Sequence, residues 1–171
     1  MHTKILFVIF ILLTSCSIQS KFNASIPVSD KAVNEPEGVK RSDVIRFAKK
    51  LIGAPYRYAG SNPASGFDCS GFVNYVFKNF SINLPRSSGE FKDLGAGLKP
   101  KDFKVGDVLV FYGFKNKRRI GHVGIICEAA GMKSRFIHSS SGKARGVTIS
   151  DLDSDIYRRR FCKCINVINA N

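Results

Sequence analysis

Hydrophobic positions follow two periods along this chain. Behind Ser42, read as an N-cap, the residues Val44, Ile45, Phe47, Ala48, Leu51 and Ile52 recur at helical spacing until Gly53 ends the run. Ala54-Pro55-Tyr56 breaks that helix, and a loop with Gly60, Asn62, Pro63 and Gly66 leads to a second stripe: Phe72, Val73, Val76, Phe77 and Phe80. The second helix is expected to end between Asn79 and Asn83, and Leu84-Pro85-Arg86-Ser87-Ser88 to open a further loop or short helix. From Gly106 the period shortens. Residues 107–112, 122–127, 134–139, 146–150 and 159–168 are short, branched and apolar, as buried strands are, with a basic hairpin-like connection over 113–121. Helices first and strands afterwards predict an α+β domain, its N-terminal helices packed on a five- to six-stranded antiparallel sheet.

The first residues change the picture of where this domain works. Lys4 precedes an unbroken apolar run over 5–13, and Leu13-Thr14-Ser15-Cys16 closes it, so residues 1–15 read as an export signal. The run is shorter than the roughly 20 apolar residues a spanning helix needs. Its ending resembles the bacterial lipoprotein box. That resemblance implies a lipid on Cys16, a membrane anchor without a transmembrane helix, and a place in the cell envelope. Ser17 follows where an aspartate would favour the inner membrane, which points to the outer membrane facing the periplasm. Residues 16–41, polar and without period, are expected to be a lipidated tether, and residues 42–171 the domain. At 171 residues, 44% hydrophobic and 23% charged, the chain has room for one domain with a proper core. A formal charge of +14 suits a nucleic acid, an anionic membrane or an anionic wall polymer, and export argues against the first.

Chemistry-bearing side chains are few. Of five cysteines, Cys16 is assigned to lipid, Cys127 ends an apolar run and reads as core, and Cys162 and Cys164 share a strand and are expected to face apart rather than pair. Cys69 falls at the start of the second helix. There, unpaired backbone N–H groups and the positive end of the dipole are expected to lower a thiol's pKa. A small buried apolar residue is the other reading of it. Of three histidines, His2 lies in the signal, while His122 and His138 both sit on strands. A nucleophilic sulfur needs an imidazole to take its proton, and that imidazole needs a polar partner to hold its tautomer. Cys69, His122 and His138 supply the three parts. Two histidines and a cysteine could also bind zinc, but no Cys-x-x-Cys or His-x-x-x-His spacing accompanies them, and no metal or cofactor is expected.

Gly53-Ala54-Pro55-Tyr56, Gly66-Phe67-Asp68-Cys69-Ser70-Gly71-Phe72-Val73, Leu84-Pro85-Arg86-Ser87-Ser88, residues 106–111, Gly121-His122-Val123-Gly124-Ile125 and Phe136-Ile137-His138-Ser139-Ser140 stand in one order. Together they resemble the NlpC-type bacterial cell-wall cysteine peptidases, and the short lipoprotein layout is most similar to murein endopeptidases of the Spr kind. The resemblance covers about residues 42–168. It implies a papain-like fold that hydrolyses amide bonds in peptidoglycan stem or cross-link peptides; a monomer is the default expectation for its oligomeric state. It makes Cys69 the nucleophile, His122 the general base and acid, and His138 the group that orients His122. Tyr56 would line the site and serve substrate or oxyanion, with Asp68 and Ser70 shaping the turn and the site wall. The N–H of Cys69 would be an oxyanion donor, a contribution of about 3 kcal/mol. The chain departs from the family at Ala59-Gly60, where Gly-Gly is common, at Phe91, where glutamine is common, and in the expanded basic segment Lys115–Arg119. A catalytically silent wall-binding lipoprotein and an acyl transferase using the same thiol are the other readings.

Overall fold

The computed structural model describes residues 38–168. The expected export signal, Cys16 and nearly all of the tether lie outside the described residues. Helix α1 runs Arg41–Lys49 and buries Val44, Ile45 and Ala48. Its cap is not Ser42. The helix begins two residues earlier than that cap implies, after Lys40, with no capping side chain. The start is set from far along the chain: the Arg41 guanidinium bonds the buried carboxylate of Asp107 at 2.7 Å, the carbonyl of Val105 at 2.9 Å and Asn166 Oδ1 at 2.7 Å. Such charge-assisted bonds outweigh a hydroxyl cap. Two two-residue strands, β1 (Ser61–Asn62) and β2 (Gly66–Phe67), pair antiparallel and deliver the chain to α2, Cys69–Lys78. Beyond α2, Ser87 and Glu90 form a capping box that starts a short 3₁₀ turn, Ser88–Lys92.

The strands β3 (Val108–Tyr112), β4 (Ile120–Glu128), β5 (Arg135–Ser140), β6 (Gly146–Asp151) and β7 (Phe161–Ile165) form one five-stranded sheet in the order β6-β5-β4-β3-β7. Every neighbouring pair is antiparallel. The expected α+β layering is what the chain adopts. One face of the sheet carries Val108, Val110, Val123, Ile125 and Ile137 and packs on α1 and α2 through Val44, Phe72, Val73 and Phe77. Its other face carries Leu109, Phe111, Ile126, Phe136 and Cys164, closed by Phe103 and Leu152. This second core lies under a one-turn helix, α3 (Asp155–Arg158), which the hydrophobic pattern did not announce.

A bulge in the β3–β7 pairing settles the two late cysteines. A strict two-residue repeat would put Cys162 and Cys164 on one face. The register shifts between Val110 and Phe111, so Cys164 enters the second core while Cys162 packs against the first. They face apart, as expected, and Cys69, Cys127, Cys162 and Cys164 are all free thiols. Among the described residues no helix is long and apolar enough to cross a membrane.

Candidate active site

The start of α2 is held by side-chain bonds from several parts of the chain. Asp68 is the N-cap, its Oδ1 accepting from the amide of Gly71 at 2.6 Å. The same carboxylate lies in the fork of Arg86, with Nη1 to Oδ1 at 3.0 Å and Nη2 to Oδ2 at 2.9 Å. Arg86 also donates to the hydroxyl of Ser70 and to the carbonyl of Gly60. Gly71 is required here, because a Cβ on it would fall 2.1 Å from that Gly60 carbonyl. One residue before the cap, the carbonyl of Phe67 accepts from Ser139 Oγ on β5 at 2.7 Å. Asp68 and Ser70 therefore face Arg86, and their visible work is to hold the turn that presents Cys69.

Cys69 is half-buried at the first position of α2. It packs against the core under α1 and α2. The backbone amide of Val123 on β4 is close enough to favour its thiolate form. The helix start was expected to lower the thiol's pKa, and the net direction is the opposite. Burial raises it, the neighbouring Asp68 carboxylate adds to the rise, and the amides of Val123, Ser70 and Cys69 offset only part of it. The resting sulfur is thus a neutral thiol that needs a base. Tyr56, bonded to Ser141, feels the charges of Cys69 and Asp68, and burial first of all pushes its phenol up, so it remains a donor at neutral pH.

The residue expected to be that base is bonded to the second histidine. His122 Nε2 lies 2.9 Å from His138 Nδ1, the rings perpendicular with centroids 4.9 Å apart. His138 Nε2 lies 3.0 Å from Ser150 Oγ and 3.4 Å from the Tyr157 hydroxyl. If His122 is to accept a proton at Nδ1, that nitrogen must be bare, which has Nε2–H donating to His138 Nδ1 and His138 Nε2–H donating to Ser150. Both imidazoles are neutral at neutral pH. Burial depresses His122 well below its ordinary value, followed by His138 and the Arg160 charge. Burial again, then Arg160, lowers His138 to about 4. Their rings pack among Phe111, Phe136 and Tyr157 on the second face of the sheet.

Four participants escaped the sequence reading: Arg86, Ser150, Tyr157 and Arg160. Arg86 stands inside a matched block without a role that spacing could supply. Tyr157 sits in the charged stretch 155–158, where no period marks an element, and Arg160 at the head of the expected last strand, which begins only at Phe161. A cleft of about 920 Å³ opens beside His122, lined also by Ser150, Tyr157, Arg160, Lys115 and Lys143. Cys69 is not part of its wall. Among the described residues there is no group of His, Cys, Asp and Glu placed to hold a metal ion.

Comparison with known proteins agrees with this architecture. The family model described as the NlpC/P60 family matches residues 53–166. The gamma-DL-glutamyl hydrolase of Bacillus subtilis (strain 168) is 41% identical over 119 residues, 69% of this chain and 27% of that protein. The bifunctional muramidase/DL-endopeptidase CwlT of the same organism is 35% identical over 132 residues, 76% of this chain and 38% of that protein. The chain thus spans well under half of either relative. A crystal structure of an NlpC/P60 family protein from Bacillus cereus superposes with a TM-score of 0.68 at 27% identity, covering 79% of this chain and 42% of that one. With the fold, the order of its blocks and this match in agreement, the chain belongs to the NlpC/P60 family.

Proposed function

We propose that this chain is a cysteine peptidase that hydrolyses amide bonds in peptidoglycan peptides. The observation that carries the reading is the hydrogen-bonded series His122–His138–Ser150, on the strand whose Val123 amide acts on the Cys69 thiol at the start of α2. In the proposed reaction His122 Nδ1 takes the thiol proton as sulfur attacks the scissile carbonyl. His138 holds the imidazolium through Nε2–H. The Cys69 N–H and the Tyr56 phenol face the developing oxyanion. Collapse passes the proton from His122 to the departing amine and leaves an acyl-sulfur bond, which water then cleaves with His122 as base. The raised thiol and depressed imidazole support a proton transfer coupled to attack, in place of a resting ion pair. Two relatives are named as a gamma-DL-glutamyl hydrolase and a DL-endopeptidase, which supports a γ-glutamyl bond as the target. Export, lipid on Cys16, a position at the outer membrane facing the periplasm and action as a monomer belong to the same proposal, the first three supported by residues 1–17 alone.

The test is digestion of purified sacculi with mass analysis of the released fragments. Cys69→Ala is expected to lower release by at least about 10³-fold with the fold intact. Parental activity in that variant would remove the mechanism. Salt-sensitive adhesion to sacculi without products from the parental protein would leave the wall-binding reading in its place.

A further inference from the structure

The cleft beside His122 has a one-sided charge. Arg160, Lys115 and Lys143 line it, and no lining residue is acidic. Arg160 is the best placed of the three. Its Nε donates to the carbonyl of Tyr112 at 2.8 Å, and its guanidinium carbon lies 5.8 Å from the ring centroid of Phe114. Neither terminal nitrogen has a hydrogen-bond partner among the described residues, so a half-buried fork is fixed at its root with its paired donors unspent. The guanidinium is close enough for its charge to act on Cys69, His122, His138 and Tyr157. A fixed, partly desolvated fork of this kind matches a carboxylate in two parallel bonds.

The chemistry says which half of a substrate meets it. In acyl transfer to sulfur the acyl half stays on Cys69, and the amine half departs after taking its proton from the imidazole. The amine half therefore lies toward His122. The cleft has His122 in its wall and not Cys69.

We propose that this cleft is the subsite for the leaving half of the substrate and that Arg160 selects peptides carrying a free carboxylate on that half, with Lys115 and Lys143 adding long-range attraction. The proposal rests on the peptidase reading only for the direction of the substrate. Arg160 is a specificity residue in it and takes no part in bond breaking.

Binding tests it without turnover. The probes are the dipeptide of diaminopimelic acid and D-alanine, and the same dipeptide with its carboxylates converted to carboxamides. Each is titrated calorimetrically into the inert Cys69→Ala protein. The carboxylate form is expected to bind at least about tenfold more tightly. Adding Arg160→Gln should erase that difference while binding of the carboxamide form stays as it was, and Arg160→Lys, with the charge but not the fork, should keep part of it. Equal binding of both probes to the Cys69→Ala protein overturns the proposal whether or not the Arg160 variants fold. A preference that survives Arg160→Gln overturns the assignment to Arg160. Hydrolysis plays no part in this readout. Failure of the parental protein to digest sacculi would therefore sink the reaction and leave the subsite to be judged separately.

Discussion

The two faces of the sheet are built from different materials. The face under α1 and α2 is aliphatic and phenylalanine-rich, largely buried and without an imidazole. The other face stacks Phe111, Phe136 and Tyr157 around the imidazoles of His122 and His138, whose polar atoms end at Ser150. The first face holds a helix still so that its first residue stays in one place. The second keeps two histidines neutral by taking water away from them, at a cost in acid stability. The helix side thus works by packing and the histidine side by proton placement, and Cys69, packed against the first face, has the Val123 amide of β4 acting on it.

Removing mass from the first face should cost most. Phe72 is fully buried in the α2 seam, and Phe72→Ala is expected to destabilise the domain by about 3–5 kcal/mol in urea denaturation. If packing and titration belong to different faces, the dependence of that stability on pH should keep the parental slope.

Acid should reveal the second face. His138 titrates near 4 folded and near its ordinary value unfolded, so below about pH 6.5 the unfolded chain binds more protons and stability falls as pH drops toward about 4. The loss from this residue is on the order of 3 kcal/mol, with His122 adding in the same direction. Urea titrations at several pH values would measure it, and His138→Asn should flatten the curve. An unchanged slope in His138→Asn, or a changed one in Phe72→Ala, would dissolve the contrast between the faces.

The finest probe is Ser150. Ser150→Ala removes the 3.0 Å partner of His138 Nε2 but leaves the Tyr157 hydroxyl at 3.4 Å, so the expected loss is about 1 kcal/mol of stability. The informative readout is the ring nitrogens of His138 by NMR. The proton should leave a single Nε2 site and become shared between tautomers. A His138 tautomer unaffected by the substitution would assign the orienting role to Tyr157.

Much of this was legible in the order of residues. The α2 stripe, its Asp68-Cys69 start and the five apolar strands are local patterns, because helix and strand periods repeat within a few residues. Cys69, His122 and His138 could be singled out by scarcity, since the chain outside its first residues has only two histidines. Other features were settled by contacts between distant parts of the chain. The start of α1 is fixed by Arg41 reaching Asp107 and Asn166, which no window of sequence contains. Cys162 and Cys164 part because a bulge shifts the strand by one residue.

What the sequence determined by itself, then, is which groups exist and which elements carry them: a thiol at a helix start, two imidazoles on strands, and the apolar faces that press those elements together. Tertiary structure alone decided their electrical state and company. Burial overrode the helix N-terminus at Cys69 and raised its pKa. The fold also placed Arg86 against the turn and brought Tyr157, from an unpatterned stretch, and Arg160, from before the last strand, to the histidine pair. The reason is physical: periodicity is written in neighbours along the chain, whereas desolvation and charge act through space, on whatever the fold has brought within a few ångströms.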